Sequence, residues 1–553
     1  MLHPKLTRLV LLAMLPVGAF ASDTQTSASS SQSPYVVPTR NGVFTRSIMT
    51  VGDAVNYKPD GVTPYRMVGI PDGLGAFDNG DGTFTLVMNH ELPVGVSGPV
   101  PGPAGVATPA GVIRAHGNAG AFVSMWTISK ANLEVLHGED LLQTNTSIFL
   151  SNNDPATGTP HSGYLPGDTT PIARLCSADL APASAYAWID PGTGILYGTT
   201  ARIFQSGEES GGVATSIASG GDFGPESRID FGRQWNFILT DDPNIEGDQS
   251  RTAYEMPHCG LFAWENNLAN PFSQLKTIVA GMDDSSPFGQ VYFWIGDKQT
   301  TGNVVERAGL TRQSANDNLY VVKVSGLATE ASGATVEDRN TPINGTFTLE
   351  NEGDVSGLTG PGLETLSNSK GGTKFLRPED GAWDMNNPSD YYFVTTDRYD
   401  QVKDGVGTQI GRSRLYRLRF TDIANPELGG TITCLLNGTE AGNMFDNMTI
   451  NKRGTILLQE DVGGQVHNGK IFRYSIATGQ LEIIAQHDPA RFTPGVPGFL
   501  TLDEESSGII PMDEILGEGW YLLDVQAHYA IPGELVEGGQ LLGLHFGPGQ
   551  ERK

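Results

Sequence analysis

The chain has 553 residues, with 62 acidic against 35 basic side chains, a net charge of −27 and 38% apolar residues. Nucleic acid and anionic membrane surfaces are excluded as partners, because both would be repelled. The apolar content suits a folded protein that collects divalent cations, or one whose acidity serves only solubility. Three cysteines, Cys176, Cys259 and Cys434, are too few for a disulfide framework; one pair could bridge, leaving an odd thiol.

In chain order, Lys5 and Arg8 precede an apolar run from Leu9 to Phe20, and Ala19-Phe20-Ala21 offers a small-x-small cleavage site. Residues 1–21 therefore read as a Sec-type signal peptide, too short to span a bilayer, and imply a periplasmic or extracellular protein without membrane insertion. Cleavage removes two bases and no acids, so 33 bases against 62 acids leave a net charge of −29. Residues 22–34 are Ser/Thr-rich and are expected to form a flexible leader, and residues 35–553 a single domain without a clean linker.

Glycine (70) and proline (34) punctuate that domain throughout, and no long stretch shows a helical period. Short apolar or alternating runs recur instead, closed by Gly, Asn or Asp: Gly82 to Met88, Gly194 to Thr199, Asp390 to Thr396, Gly454 to Gln459 and Gly519 to Val525. A second set of strands follows several of them: Phe122 to Ser129, Leu319 to Ser325, Arg414 to Phe420 and Lys470 to Ser475. Ala477-Thr478-Gly479 signals a hairpin into Gln480 to Ala485, and Asp78-Asn79-Gly80-Asp81-Gly82 reads as a turn. This recurrence predicts an all-β, six-bladed β-propeller with long loop insertions at Val94 to Ala115 and Asn344 to Lys374. A two-sheet sandwich would use similar strands but rarely so many. In a propeller the inner strands end at the central channel, so acids near strand ends can converge there.

Four segments, Val68 to Glu91, Arg377-Pro378-Glu379-Asp380-Gly381, Phe445 to Asp461 and Glu504 to Tyr529, together resemble the PhoX-type alkaline phosphatase family. The resemblance implies a six-bladed propeller holding several calcium ions, with two iron ions at the channel mouth of the phosphatase members, which hydrolyse phosphomonoesters. It implies small organic phosphates as substrates, and calcium and iron as cofactors.

Within those segments, a phosphate dianion needs a fixed guanidinium to grip its oxygens and a carboxylate to hold a metal beside it. The match to the family's Arg-Pro-Glu makes Arg377 the expected phosphate clamp and Glu379 a metal ligand. Cys176 stands where the family places an iron-binding thiolate, a soft donor that suits iron better than calcium. Of the adjacent Glu208 and Glu209 only one should reach the channel, and Glu209 is the expected ligand; Gly207 replaces a cysteine of the family's block. Asp283-Asp284 stands where the family has His-Glu, and Asp284 is an expected ligand although its shorter side chain must change the metal spacing. Asp446, Glu460 and Glu505 are further expected oxygen donors for calcium. Asp446-Asn447 and Glu460-Asp461 would lie at opposite ends of one straight strand. Asn89 and His90 could orient a phosphate, and Glu91 could bind calcium; His258, His467 and His528 read as loop or core histidines. The Sec-like leader and the lost His-Glu pair favour calcium over iron and support a rival reading: a non-catalytic, calcium-stabilised propeller acting as a surface scaffold or binding module.

Overall fold

A computed structural model describes residues 23–93, 100–101, 107–108, 113–117, 119–151, 164–166, 172–209, 232–285, 288–330, 343–397, 413–461, 463–547 and 549. The expected signal peptide and most of the expected Val94 to Ala115 insertion lie outside them. None of the described helices is long and apolar enough to cross a membrane.

Short strands closed by turn residues dictate the architecture, which is all-β. Asp78 and Asp81 accept backbone N–H groups from Gly80 and Thr83, and Gly80 and Gly82 take positive φ, so the chain reverses there into a hairpin. Asn451 plays the same part before Gly454, accepting from the N–H groups of Arg453 and Thr455. That turn corrects one expectation. Residues 445–461 form two antiparallel strands with Phe445 opposite Glu460, so Asp446 and Glu460 stand at the same end.

Six strands form the inner wall: β1 (Pro71–Asp78), β2 (Leu175–Asp179), β3 (Trp264–Ala269), β4 (Pro378–Trp383), β5 (Phe445–Ile450) and β6 (Glu504–Pro511). Each packs beside the next in chain order, and β6 returns to β1, closing a ring. Every inner strand begins a run of strands leading outward, antiparallel through its first four members. The β3 and β4 runs join edge to edge into one nine-stranded sheet, where Asn344–Gly353 pairs with Gly430–Leu436. The two chain ends also meet: Val43–Thr50 pairs with Val536–Phe546 beside the β6 run.

Apolar clusters fill the wedges between successive runs. Trp264, Val279 and Trp294 pack on Ile203 and Ile238 in one wedge; Leu522 and Ile48 pack on Leu74 and Trp126 in another. Residues alternating along a strand serve the two wedges on either side, which is why these runs are apolar on both faces.

Two further expectations are corrected. Thr24–Thr26 pairs in parallel with Val43–Thr50, and the buried Ser27 hydroxyl donates to Leu133 O at 2.9 Å, so the described part of the 22–34 leader is docked rather than free. A helix, α1 (Gly360–Lys370), lies inside the predicted 344–374 insertion. Thr359 caps its start, Pro361 occupies its first turn and Gly371 ends it with left-handed φ, signals that act without an apolar period. All three cysteines are unbridged: Cys176 and Cys259 are buried and Cys434 half-buried.

Candidate metal centre

The second residue of every inner strand is a potential metal ligand: Asp72, Cys176, Glu265, Glu379, Asp446 and Glu505. In β1 to β5 the pairing with the neighbouring strand slips across these residues, between Pro71 and Leu74, Leu175 and Ala178, Trp264 and Asn267, Pro378 and Gly381, and Phe445 and Met448. Such bulges release a residue from the ladder and re-aim its side chain. A second tier comes from the strand that follows, where the N–H of Glu91, Glu209, Asp284, Asp461 and His528 bonds to the carbonyls of Ile70, Arg174, Ala263, Met444 and Asp503. Ile70, Arg174, Arg377 and Met444, each two residues before an inner-wall ligand, have φ of +50°, +32°, +58° and +47°. Left-handed backbone at a residue with a Cβ costs roughly 1–2 kcal/mol. Its repetition just before a ligand is the mark of a site whose geometry the surrounding sheet enforces.

Three groups of ligand atoms, each mutually within 4.8 Å, run side by side: Asp72, Glu91 and Cys176; Cys176, Glu209 and Glu265; Glu265, Glu379 and Asp446. Cys176 is shared by the first two groups and Glu265 by the last two, so adjacent ions would be bridged. The Cys176 thiol donates to Glu265 Oε2 at 2.9 Å, while Glu265 Oε1 and Asp72 Oδ1 are buried without a partner. Among the described residues, two guanidiniums stand with these acids. Arg174 joins Glu91 and Glu209, the latter at 2.5 Å; Arg377 joins Asp284 at 2.6 Å and Glu379 at 3.1 Å. Burial pushes the carboxyls of Asp72, Glu209, Glu265, Glu379 and Asp446 well above their usual range, and neighbouring carboxylates add to the shift. Asp461 is pushed up to about 7 by burial and then by Glu505, and burial also raises the Cys176 thiol. So many buried acids can be ionised together only against cations. An oxygen-rich donor set with orphaned buried oxygens therefore fits calcium, and the single thiolate adds a soft donor suited to iron.

No protein-family model matches the sequence, and neither does any curated protein. Among solved structures, the chain is similar to Pseudomonas fluorescens PhoX in complex with vanadate, a transition state analogue, with a TM-score of 0.60 and 12% identity over 94% of this chain and 97% of that one. The fold resembles that of PhoX. It also overlaps the GH93 α-L-arabinofuranosidase of Fusarium graminearum with arabinobiose, at a TM-score of 0.36 and 9% identity over 91% and 98% of the two chains. The GH43_1 enzyme from Xanthomonas citri complexed with xylotriose follows at 0.28 and 9% over 67% and 88%. These last two overlap too loosely to carry an argument.

Of the residues expected to serve the site, the fold brings Cys176, Glu209, Glu379 and Asp446 into the three groups. Asp284 and Arg377 join them through their ion pair, and Glu505 through its charge on Asp446. Glu460 stands apart: its oxygens accept from Asn443 N–H and Lys470 N–H and pair with His467, so its neighbour Asp461 occupies the equivalent place in the second tier. Glu208 turns away from Glu209 into a fully buried pair with Arg233, at 2.6 and 2.8 Å. Gly207 fits that turn, since a Cβ there would lie 2.2 Å from Trp264 Cβ, which leaves no room for a second cysteine. Asn89 and His90 are also turned inward. Asn89 Nδ2 donates to Cys176 O and to Ser206 Oγ, and His90 bonds Gly69 O and Ser124 Oγ while stacking on Phe122. Neither can reach a phosphate in the channel. Sequence reasoning missed Asp72 and Glu265, and their signal was a repeat. Pro71-Asp72-Gly73, Trp264-Glu265-Asn266, Pro378-Glu379-Asp380 and Phe445-Asp446-Asn447 each set an acid between a proline or aromatic and a small or polar residue.

Glu208 provides a control. Glu208→Ala should cost about 3–5 kcal/mol in chemical denaturation, because it strands a buried guanidinium, yet leave bound metal unchanged. A loss of metal would place Glu208 in the centre instead.

Proposed function

We propose that this chain is an exported, six-bladed propeller that hydrolyses phosphomonoesters at a calcium- and iron-holding centre on its inner wall. The observation that carries the reading is the run of three ligand groups sharing Cys176 and Glu265, with Arg174 paired to acids of the first two groups and Arg377 to Glu379 of the third. Asp72, Glu91, Cys176, Glu209, Glu265, Glu379 and Asp446 would hold the ions, and metal bound there would supply Lewis-acid polarisation of the phosphoryl group and a water of lowered pKa. The water's oxygen forms the new P–O bond, the ester P–O bond breaks, and the alcohol leaves with a proton. Arg377 is held against Glu379 and Asp284 by two ion pairs, so its remaining N–H groups are aimed before substrate arrives. Its charge stabilises the equatorial oxygens as the transition state forms. Small organic phosphates suit the site: the acidic chain repels them at long range, and only a metal-filled mouth inverts that field.

One observation favours the rival scaffold reading: Asp284, standing where the family has His-Glu, closes on the clamp residue Arg377 at 2.6 Å. Hydrolysis of p-nitrophenyl phosphate decides between them. The enzymatic reading predicts turnover with calcium and iron present and its loss in EGTA with restoration by re-addition. A calcium-dependent gain in stability without turnover would establish the scaffold.

A further inference from the structure

Behind the inner wall, Asp524 lies in Trp520–Ile531, the strand that follows β6, opposite Ser507. It is fully buried at 0% exposure, and among the described residues no other donates a hydrogen bond to either of its carboxylate oxygens. Two residues along on the same face, Gln526 spends its amide N–H groups on Asp72 Oδ2 at 3.3 Å and Glu91 Oε2 at 3.2 Å. Its Oε1 is thereby turned from those carboxylates and is buried without a partner, as is Asp72 Oδ1. Asp524 lies close enough to Asp72 for its charge to raise the Asp72 carboxyl. Four acceptor oxygens without a donor among the described residues thus belong to two strands that pack together, Trp520–Ile531 and β1.

We propose that Asp524, Gln526 Oε1 and Asp72 Oδ1 hold a structural calcium ion behind the inner wall, separate from the three ligand groups and sharing only Asp72 with them. The donor set is all oxygen, without thiol or imidazole; with Asp524 bidentate, the three side chains together supply about four of the six to eight oxygens calcium takes, the remainder being water or backbone carbonyl. A buried carboxylate without partners is otherwise a large cost, and the face Asp524 occupies is elsewhere filled by Leu522 and its apolar neighbours. The ion would tie the last run of strands to the first, where the ring closes. The inference stands whether or not the protein turns over phosphate.

The test is calcium content by mass spectrometry and Tm, measured on full-length protein equilibrated with calcium or EGTA, for the parent and Asp524→Asn. The expected result is about one calcium fewer per chain in the variant and a smaller calcium-dependent rise in Tm. Equal calcium content with an equal rise overturns the proposal, and a variant more stable than the parent in EGTA and equal in calcium content identifies Asp524 as a buried protonated acid. Should Asp524→Asn fail to fold, hydrogen exchange on the parent decides. Calcium must slow exchange in Trp520–Ile531 beyond what it does in strands β3 and β4, and equal protection overturns the proposal.

Discussion

Arg377→Ala is expected to lower kcat/KM for p-nitrophenyl phosphate by about 10³-fold, the range found when a positioned cationic or oxyanion-stabilising donor is removed from phosphoryl or acyl transfer. The fall should appear in kcat more than in KM, because a clamp aligned with the equatorial oxygens gains most as charge spreads over them. Arg377→Lys should recover little: Nη2 alone serves both Asp284 and Glu379, leaving the other guanidinium N–H groups for phosphate, whereas a lone ammonium would have to serve the carboxylates and the phosphate together. Truncation also leaves two buried carboxylates without their partner, so bound metal and Tm are read on the same sample. Retained metal with lost turnover confirms the role. Unchanged turnover removes Arg377 from the chemistry.

The second large effect concerns the chelated protein. Asp461, Asp380 and Asp179 are each pushed up to about 7, burial being the main cause, against a usual value near 4 in an unfolded chain. A carboxyl whose folded pKa is raised binds its proton more tightly folded than unfolded. Its stabilising contribution is complete below about pH 4 and lost as pH rises through about 7. In EGTA the Tm should therefore fall steadily between about pH 5 and pH 8. With metal bound, the cations replace the protons among the wall acids, and the slope should flatten. A chelated protein whose Tm rises across that interval would contradict the electrostatic picture of the wall.

Much of the fold is legible in the sequence because its strands are short and their turns explicit. Phe122–Ser129, Arg414–Phe420 and Lys470–Ser475 have the bounds their alternation and flanking residues predict. Helix α1 was not legible, because its signals are Thr359, Pro361 and Gly371 at the ends rather than a period within. The docked leader was missed for a similar reason: Thr24–Thr26 is ordered by an outer strand edge far along the chain, not by its own composition. Within the site, strand alternation separates Glu208 from Glu209, whereas nothing in Glu460-Asp461 alone shows that Glu460 is taken up by Asn443, His467 and Lys470. Asp72 and Glu265 were hidden because a lone acid after proline or tryptophan carries no signal until the six inner strands are superposed, and the bulges that aim them are tertiary features.

The most direct test of the central claim is a crystal structure of protein grown with calcium and iron, with anomalous scattering recorded on both sides of the iron edge. The account predicts ions bound between Cys176, Glu265 and Glu379, with Cys176 and Glu265 bridging neighbours. An inner wall free of bound ions under those conditions, with the acids paired to one another as carboxyl–carboxylate hydrogen bonds, would contradict it.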